Sequence, residues 1–171
     1  MTDRKVELLV PAGSLEVLKV AVDYGADAVY IGGQAYGLRA KADNFSIDEM
    51  KEAAAYAHAK NAKVYVTANI FAHNYDIDGM KTYFEQLKDT GVDAVLVSDP
   101  GIFTLAKETM PDMELHISTQ ANNTNYLTYN FWYKLGAKRV VTARELSLAE
   151  IRQIRDHIPD DICLLYTSPS P

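Results

Sequence analysis

The chain alternates between short runs that are apolar at almost every position and longer stretches that are apolar at every third or fourth. The first kind reads as strand buried on both faces, the second as amphipathic helix. Val6-Glu7-Leu8-Leu9-Val10 opens the series and ends in Pro11-Ala12-Gly13. Ser14 then suits an N-cap, and Leu15, Leu18 and Val22 carry helical spacing as far as Gly25. Ala28-Val29-Tyr30-Ile31 is the next strand, stopped by Gly32-Gly33 and followed by a loop over 34–45. Ser46 with Glu49 makes a capping box for a helix whose inner side is Met50, Ala53, Ala54 and Ala57. The pattern recurs with strands at 64–67, 94–97, 115–118 and 139–142. The helices after them run from Met80 to Thr90, Gly101 to Met110, Asn123 to Leu135 and Leu148 to Ile158.

Six strand–helix units in strict alternation imply a parallel sheet with right-handed crossovers. An internal repeat supports the count. Gly25-Ala26-Asp27-Ala28-Val29 returns as Gly91-Val92-Asp93-Ala94-Val95, and more loosely as Gly136-Ala137-Lys138-Arg139-Val140. Each marks a helix end turning into a strand, with glycine supplying the positive φ. Such turns occur in (β/α)₈ barrels and in doubly wound open sheets. No G-x-G-x-x-G follows the first strand, which weakens a dinucleotide-binding reading. The expectation is therefore an α/β fold, a TIM-barrel-like domain over 1–162 with about six of its eight βα units present. Residues 163–171, Cys163 to Pro171, read either as a seventh strand dissolving into a Ser/Pro tail or as appended, non-native sequence; the latter is the expectation.

Composition narrows the setting. No apolar run approaches the roughly 18 residues of a membrane span, and no secretory h-region opens the chain, so a cytoplasmic protein is expected. A net charge of −6 argues against a generic nucleic-acid binder, though not against a local basic patch. The chain has one cysteine, Cys163, which by itself supports neither a disulfide framework nor a cluster.

In a barrel the working residues sit at the C-terminal ends of the strands. That rule selects Tyr30 and the loop residue Asn44 after strand 2, Asn69 after strand 3 and Asp99 after strand 4. It adds Gln120 after strand 5, and Arg144 with Glu145 after strand 6. These seven are the candidate substrate-binding residues. Several have plainer readings. Asp99-Pro100 suits an N-cap followed by proline at the first helical position. Glu145 with Ser147 suits a turn, and Arg144 with Glu145 an ion pair. Gly32-Gly33 suits a tight turn better than a phosphate cradle, because no Lys-Ser/Thr follows. Asn69 and Gln120 are the hardest to explain as caps. Among the histidines, His116 alternates with Ser118 and Gln120 and so faces the barrel interior, most simply as a satisfied core residue. The aromatic helix with Tyr126, Tyr129, Phe131, Trp132 and Tyr133 reads as packing.

Taken together, several segments resemble the start of the collagenase-like peptidase family, U32, whose catalytic type is unassigned. They are 7–13, 25–33, Arg39-Ala40 with Asn44-Phe45, Thr67-Ala68-Asn69, 97–101, 116–120 and 143–147. The likeness runs from about residue 6 to 158. It implies a barrel-like catalytic domain and two kinds of activity. One is hydrolysis of peptide bonds in peptides or proteins. The other is oxygen-independent hydroxylation of RNA bases or of the ubiquinone ring, with a 4Fe-4S cluster. The family's cysteine motif lies downstream of the residues present, so no cluster ligand is assigned and this chain is expected to hold no cofactor. The leading expectation is the N-terminal part of a peptidase. The alternatives are a hydroxylase and a non-catalytic fragment. Nothing in the pattern sets an oligomeric state or marks catalytic residues.

Overall fold

The computed structural model describes residues 6–37 and 44–165; Arg39 and Ala40 of the second loop, and 166–171 of the tail, lie outside them. Among the described residues seven strands form one sheet in sequential order, with every neighbouring pair parallel. The elements alternate: β1 Leu9–Ala12, α1 Leu15–Asp23, β2 Ala28–Gly32, α2 Ile47–His58, β3 Lys63–Thr67, α3 Ile77–Leu87, β4 Ala94–Val97, α4 Pro100–Thr109, β5 Glu114–Ile117, α5 Tyr126–Leu135, β6 Arg139–Val141, α6 Leu148–Asp156 and β7 Cys163–Leu165. Sequential order removes the doubly wound alternative, which requires the order to reverse. Cys163–Leu165 pair in register with Arg139–Val141, so the first residues of the expected tail are a strand of this sheet.

The sheet is curled. Glu7, just before β1, makes a bidentate ion pair with Arg139 at the start of β6. In a flat sheet those strands would lie five spacings apart, about 24 Å, beyond the reach of two side chains. Alternate strand residues therefore face two different environments. Val29, Ile31, Val64, Val66, Val95, Val97, Ile117 and Val140 point outward into the main core, beneath the helices. Ala28, Tyr65 and Ala94 point inward, with Leu9, Tyr30 and Leu96 packed on them. Both faces are covered, which is why the strands read as continuous apolar runs.

The glycine repeat has a geometric cause. Gly25, Gly91 and Gly136 have φ of +95°, +81° and +99°. Two residues later, Asp27 N–H donates to Leu8 O and the Asp27 carboxylate accepts from Leu8 N–H. Asp93 repeats the exchange with Val64. Each aspartate thus pins the start of one strand to its neighbour by a two-way clamp. Lys138, in the third copy, keeps only the backbone half, to Leu115 O.

Helix starts follow the caps. Ser46 and Glu49 form the expected capping box, and Ser147 with Glu150 form another. α5 begins later than the pattern suggested: Asn125 caps it, and Asn123 lies outside it. The glycine pair is not the tight turn its composition suggested: Gly32 ends β2 and Gly33 continues it through a parallel bridge to Phe45. A Cβ on Gly33 would fall 2.0 Å from the Tyr83 hydroxyl and 3.0 Å from Met50 Cε. Both neighbours are buried. Gly33→Ala is expected to destabilise the fold by about 1–3 kcal/mol, as overpacking does. A chemical denaturation midpoint equal to that of the parent protein would refute the close packing.

Candidate functional site

Parallel strands present all their C-terminal ends to one rim, and the rim encloses a cavity of about 260 Å³. Tyr30, Asn44, Asn69, Gln120 and Arg144 all line it. They come from the ends of β2, β3, β5 and β6. Asp99 lines instead a smaller neighbouring cavity of about 210 Å³, with His73 and Ser98. Gln120 lies on the wall of both. Glu145 lines neither and is exposed. The backbone turns at Arg144–Glu145, both side chains are exposed, and no ion pair joins them among the described contacts.

The polar groups are held to different degrees. Asp99 is committed as an N-cap, accepting from Ile102 N–H at 2.9 Å. Asn69 is held at both ends. Its Nδ2 donates to Ser118 Oγ at 3.0 Å, and its backbone carbonyl accepts from Ser98 Oγ at 3.2 Å. Gly32 leaves room for Asn44: a Cβ there would come within 2.9 Å of Asn44 Oδ1. Arg144 is exposed at the rim and takes part in no described ion pair or hydrogen bond.

A residue the sequence reading passed over organises this rim. Asn123 is fully buried. Its Nδ2 donates to Ser118 O and Val141 O, and its Oδ1 accepts from Trp132 Nε1 at 3.0 Å. Its own carbonyl accepts from Ala143 N–H. One side chain therefore ties the ends of β5 and β6 to α5, and so sets the spacing between Gln120 and Arg144. The available signal was the asparagine's position just beyond a strand end, where a buried amide needs partners.

Beneath the cavity the interior turns ionic. Arg139 meets Glu7 at 2.7 and 3.1 Å, and Tyr65 donates to the same carboxylate at 3.0 Å. The Arg139 guanidinium lies 5.0 Å from the Tyr65 ring centre, and the Tyr65 ring meets His116 edge-on. Burial pushes the His116 imidazole below its ordinary range, although Glu114 lies 3.5 Å away. Burial acts to raise the Glu7 carboxyl, but hydrogen bonds and charge from Arg139, with the Tyr65 hydroxyl, hold it below the usual range. His116 does face the interior, but its Nδ1 has no partner among the described residues.

A 4Fe-4S cluster takes four thiolates, and the chain has only Cys163, exposed at the opposite end of the sheet from the cavity. Among the described residues no three His, Cys, Asp or Glu side chains gather as a metal site. The residues present do not fit such a group. Among the same residues no helix is long and apolar enough to cross a membrane.

Comparison with known proteins places this geometry in context. The model described as "Peptidase family U32" matches residues 13–164. The chain is 48% identical over 159 residues to tRNA hydroxylation protein P1 of Bacillus subtilis (strain 168), covering 93% of the chain and 38% of that protein. It is 38% identical over 154 residues to the 23S rRNA 5-hydroxycytidine C2501 synthase of Escherichia coli (strain K12), covering 90% of the chain and 23% of that protein. Both relatives are thus much longer than the part this chain spans. The solved structure of the U32 peptidase Mk0906 superposes with a TM-score of 0.78 at 17% identity, covering 97% of this chain and 70% of that one, which is a likeness of fold.

Proposed function

The chain belongs to peptidase family U32, and we propose that within it this barrel segment binds the RNA substrate of a base-hydroxylating enzyme rather than a peptide awaiting hydrolysis. The relatives at 48% and 38% identity are named for tRNA hydroxylation and for a hydroxycytidine synthase, which supports the hydroxylase reading over the peptidase one. Such a substrate is met in the cytoplasm.

The structural observation that carries the reading is the pairing of a walled cavity with an uncommitted cation at its mouth. An enzyme that modifies a base must take it out of its stack into a pocket, with the backbone phosphates left outside. The cavity has largely apolar walls from Leu9, Tyr30 and Leu96, and carboxamides from Asn44, Asn69 and Gln120. Arg144 stands at its edge with no acidic partner among the described residues. In a chain of net charge −6, an unpaired guanidinium there suits a phosphate. The chain's own part in the reaction is to bind, orient and shield the base.

Arg144→Gln in the intact protein is the test. The slope of log binding constant against log salt for unmodified tRNA should fall by about one phosphate contact, roughly 0.7–0.9. Digestion and mass analysis of the RNA should show hydroxylated nucleoside formed by the parent protein. An intact protein that cleaves peptides, leaves RNA unbound and is indifferent to Arg144→Gln would overturn the reading.

A further inference from the structure

The carboxamides on the cavity wall differ in how firmly they are held. Gln120 is exposed, and its described contact is through its backbone N–H. Arg144 offers only donors. Asn69 is half-buried and fixed at two points. Ser98 holds its backbone carbonyl, and its Nδ2 is directed at Ser118 Oγ. Ser118 is itself buried, with its backbone N–H on Val97 O and its carbonyl on Asn123. The Ser118 oxygen also accepts from the Gln120 backbone N–H at 3.4 Å, so it acts as acceptor toward both. With one N–H of the amide engaged by Ser118, its orientation is set, and Asn69 Oδ1 is the acceptor that the amide offers a ligand; no described residue bonds it.

We propose that Asn69 determines base specificity in this cavity: its Oδ1 accepts an N–H from the edge of the bound base, and Ser118 positions the amide for it. The proposal rests on the RNA reading above and deepens it. A fixed acceptor loses little entropy when the ligand arrives. It also discriminates. A base with no N–H at that edge leaves a desolvated oxygen unpaired, which is how a hydrogen-bonding site rejects an analogue.

The probe is a short single-stranded RNA with one central uridine flanked by abasic positions, compared with the same RNA carrying 3-methyluridine, whose ring N–H is gone. Binding to the intact protein is read by fluorescence anisotropy. The parent protein should bind the methylated RNA about tenfold more weakly, the scale of one hydrogen bond with its desolvation. Asn69→Ala should bind the uridine RNA about tenfold more weakly and treat the two RNAs alike. Asn69→Gln keeps the group but displaces it by one methylene, and should also lose the discrimination. Ser118→Ala should reduce it, with the uridine RNA still bound. If the parent does not distinguish the two RNAs, or if Asn69→Ala keeps the discrimination, the assignment is overturned, while an Arg144-dependent salt slope would leave the RNA reading standing. If the parent binds neither RNA nor tRNA, both fall together.

Discussion

Arg139→Met should lower the unfolding free energy by about 2–3 kcal/mol, because it strips a half-buried carboxylate of its cation. Arg139 is the long-range tie of the sheet, reaching 132 residues back to Glu7. Its side chain is 10% exposed and that of Glu7 30%, so the pair has left much of its hydration behind. Removing the cation also leaves the Tyr65 hydroxyl bonded to an uncompensated charge. The double change Glu7→Gln with Arg139→Met should recover part of the loss, since it removes both charges and not one. The pair also makes a pH signature. The folded protein holds the Glu7 carboxyl below its ordinary value, so its contribution is present above the unfolded-state value of about 4.5 and fades as pH falls through the lower folded value. Glu7→Gln should therefore lower the neutral plateau, where the contribution is present, without changing its slope, and flatten the acid limb of stability below about pH 4.5. Urea denaturation across pH measures both effects. Equal stability of parent and Arg139→Met at neutral pH would show that the sheet is not tied across its interior.

The architecture was legible because it is written locally. Helix caps such as Ser46 with Glu49, apolar runs such as Ala28–Ile31, and the repeated glycine each need only a few neighbouring residues to specify them. The rim was legible by rule: once the strands are parallel, Asn69, Gln120 and Arg144 have to share an end. The remaining features depend on contacts distant in sequence. Asp99 and Glu145 met the same rule but separated from the rest, one into a cap and one onto a turn. The ion pair of Glu7 and Arg139 joins residues that each interrupt an apolar run, and nothing near either one names its partner. The curl of the sheet brings them together. At the tail, Cys163–Leu165 are apolar enough for a strand, but only the open edge of β6 decides that they form one.

Asn123 carries the second large effect, and it connects stability to the site. Asn123→Leu is close in volume, so it leaves little void and isolates the polar contribution. It strands the Trp132 indole N–H and removes one donor each from Ser118 O and Val141 O, all in a fully buried setting. Each unsatisfied buried group costs about 1–3 kcal/mol, and the two carbonyls have further lone pairs or backbone partners to fall back on, so the total should be about 3 kcal/mol. The local consequence is looser spacing between the ends of β5 and β6, which carry Gln120 and Arg144. Trp132 is the sole tryptophan of the chain, so its emission reports the lost hydrogen bond directly. The expected pattern has three parts: a shifted Trp132 emission in the folded state, a lower denaturation midpoint, and weaker tRNA binding by the intact protein. The salt slope should stay at the parent value, because Arg144 is still present to meet its phosphate. This separates Asn123 from Arg144, whose loss changes the slope and leaves the emission alone. An Asn123→Leu protein with parent stability and parent emission would mean that the rim is assembled by its backbone and not by this side chain.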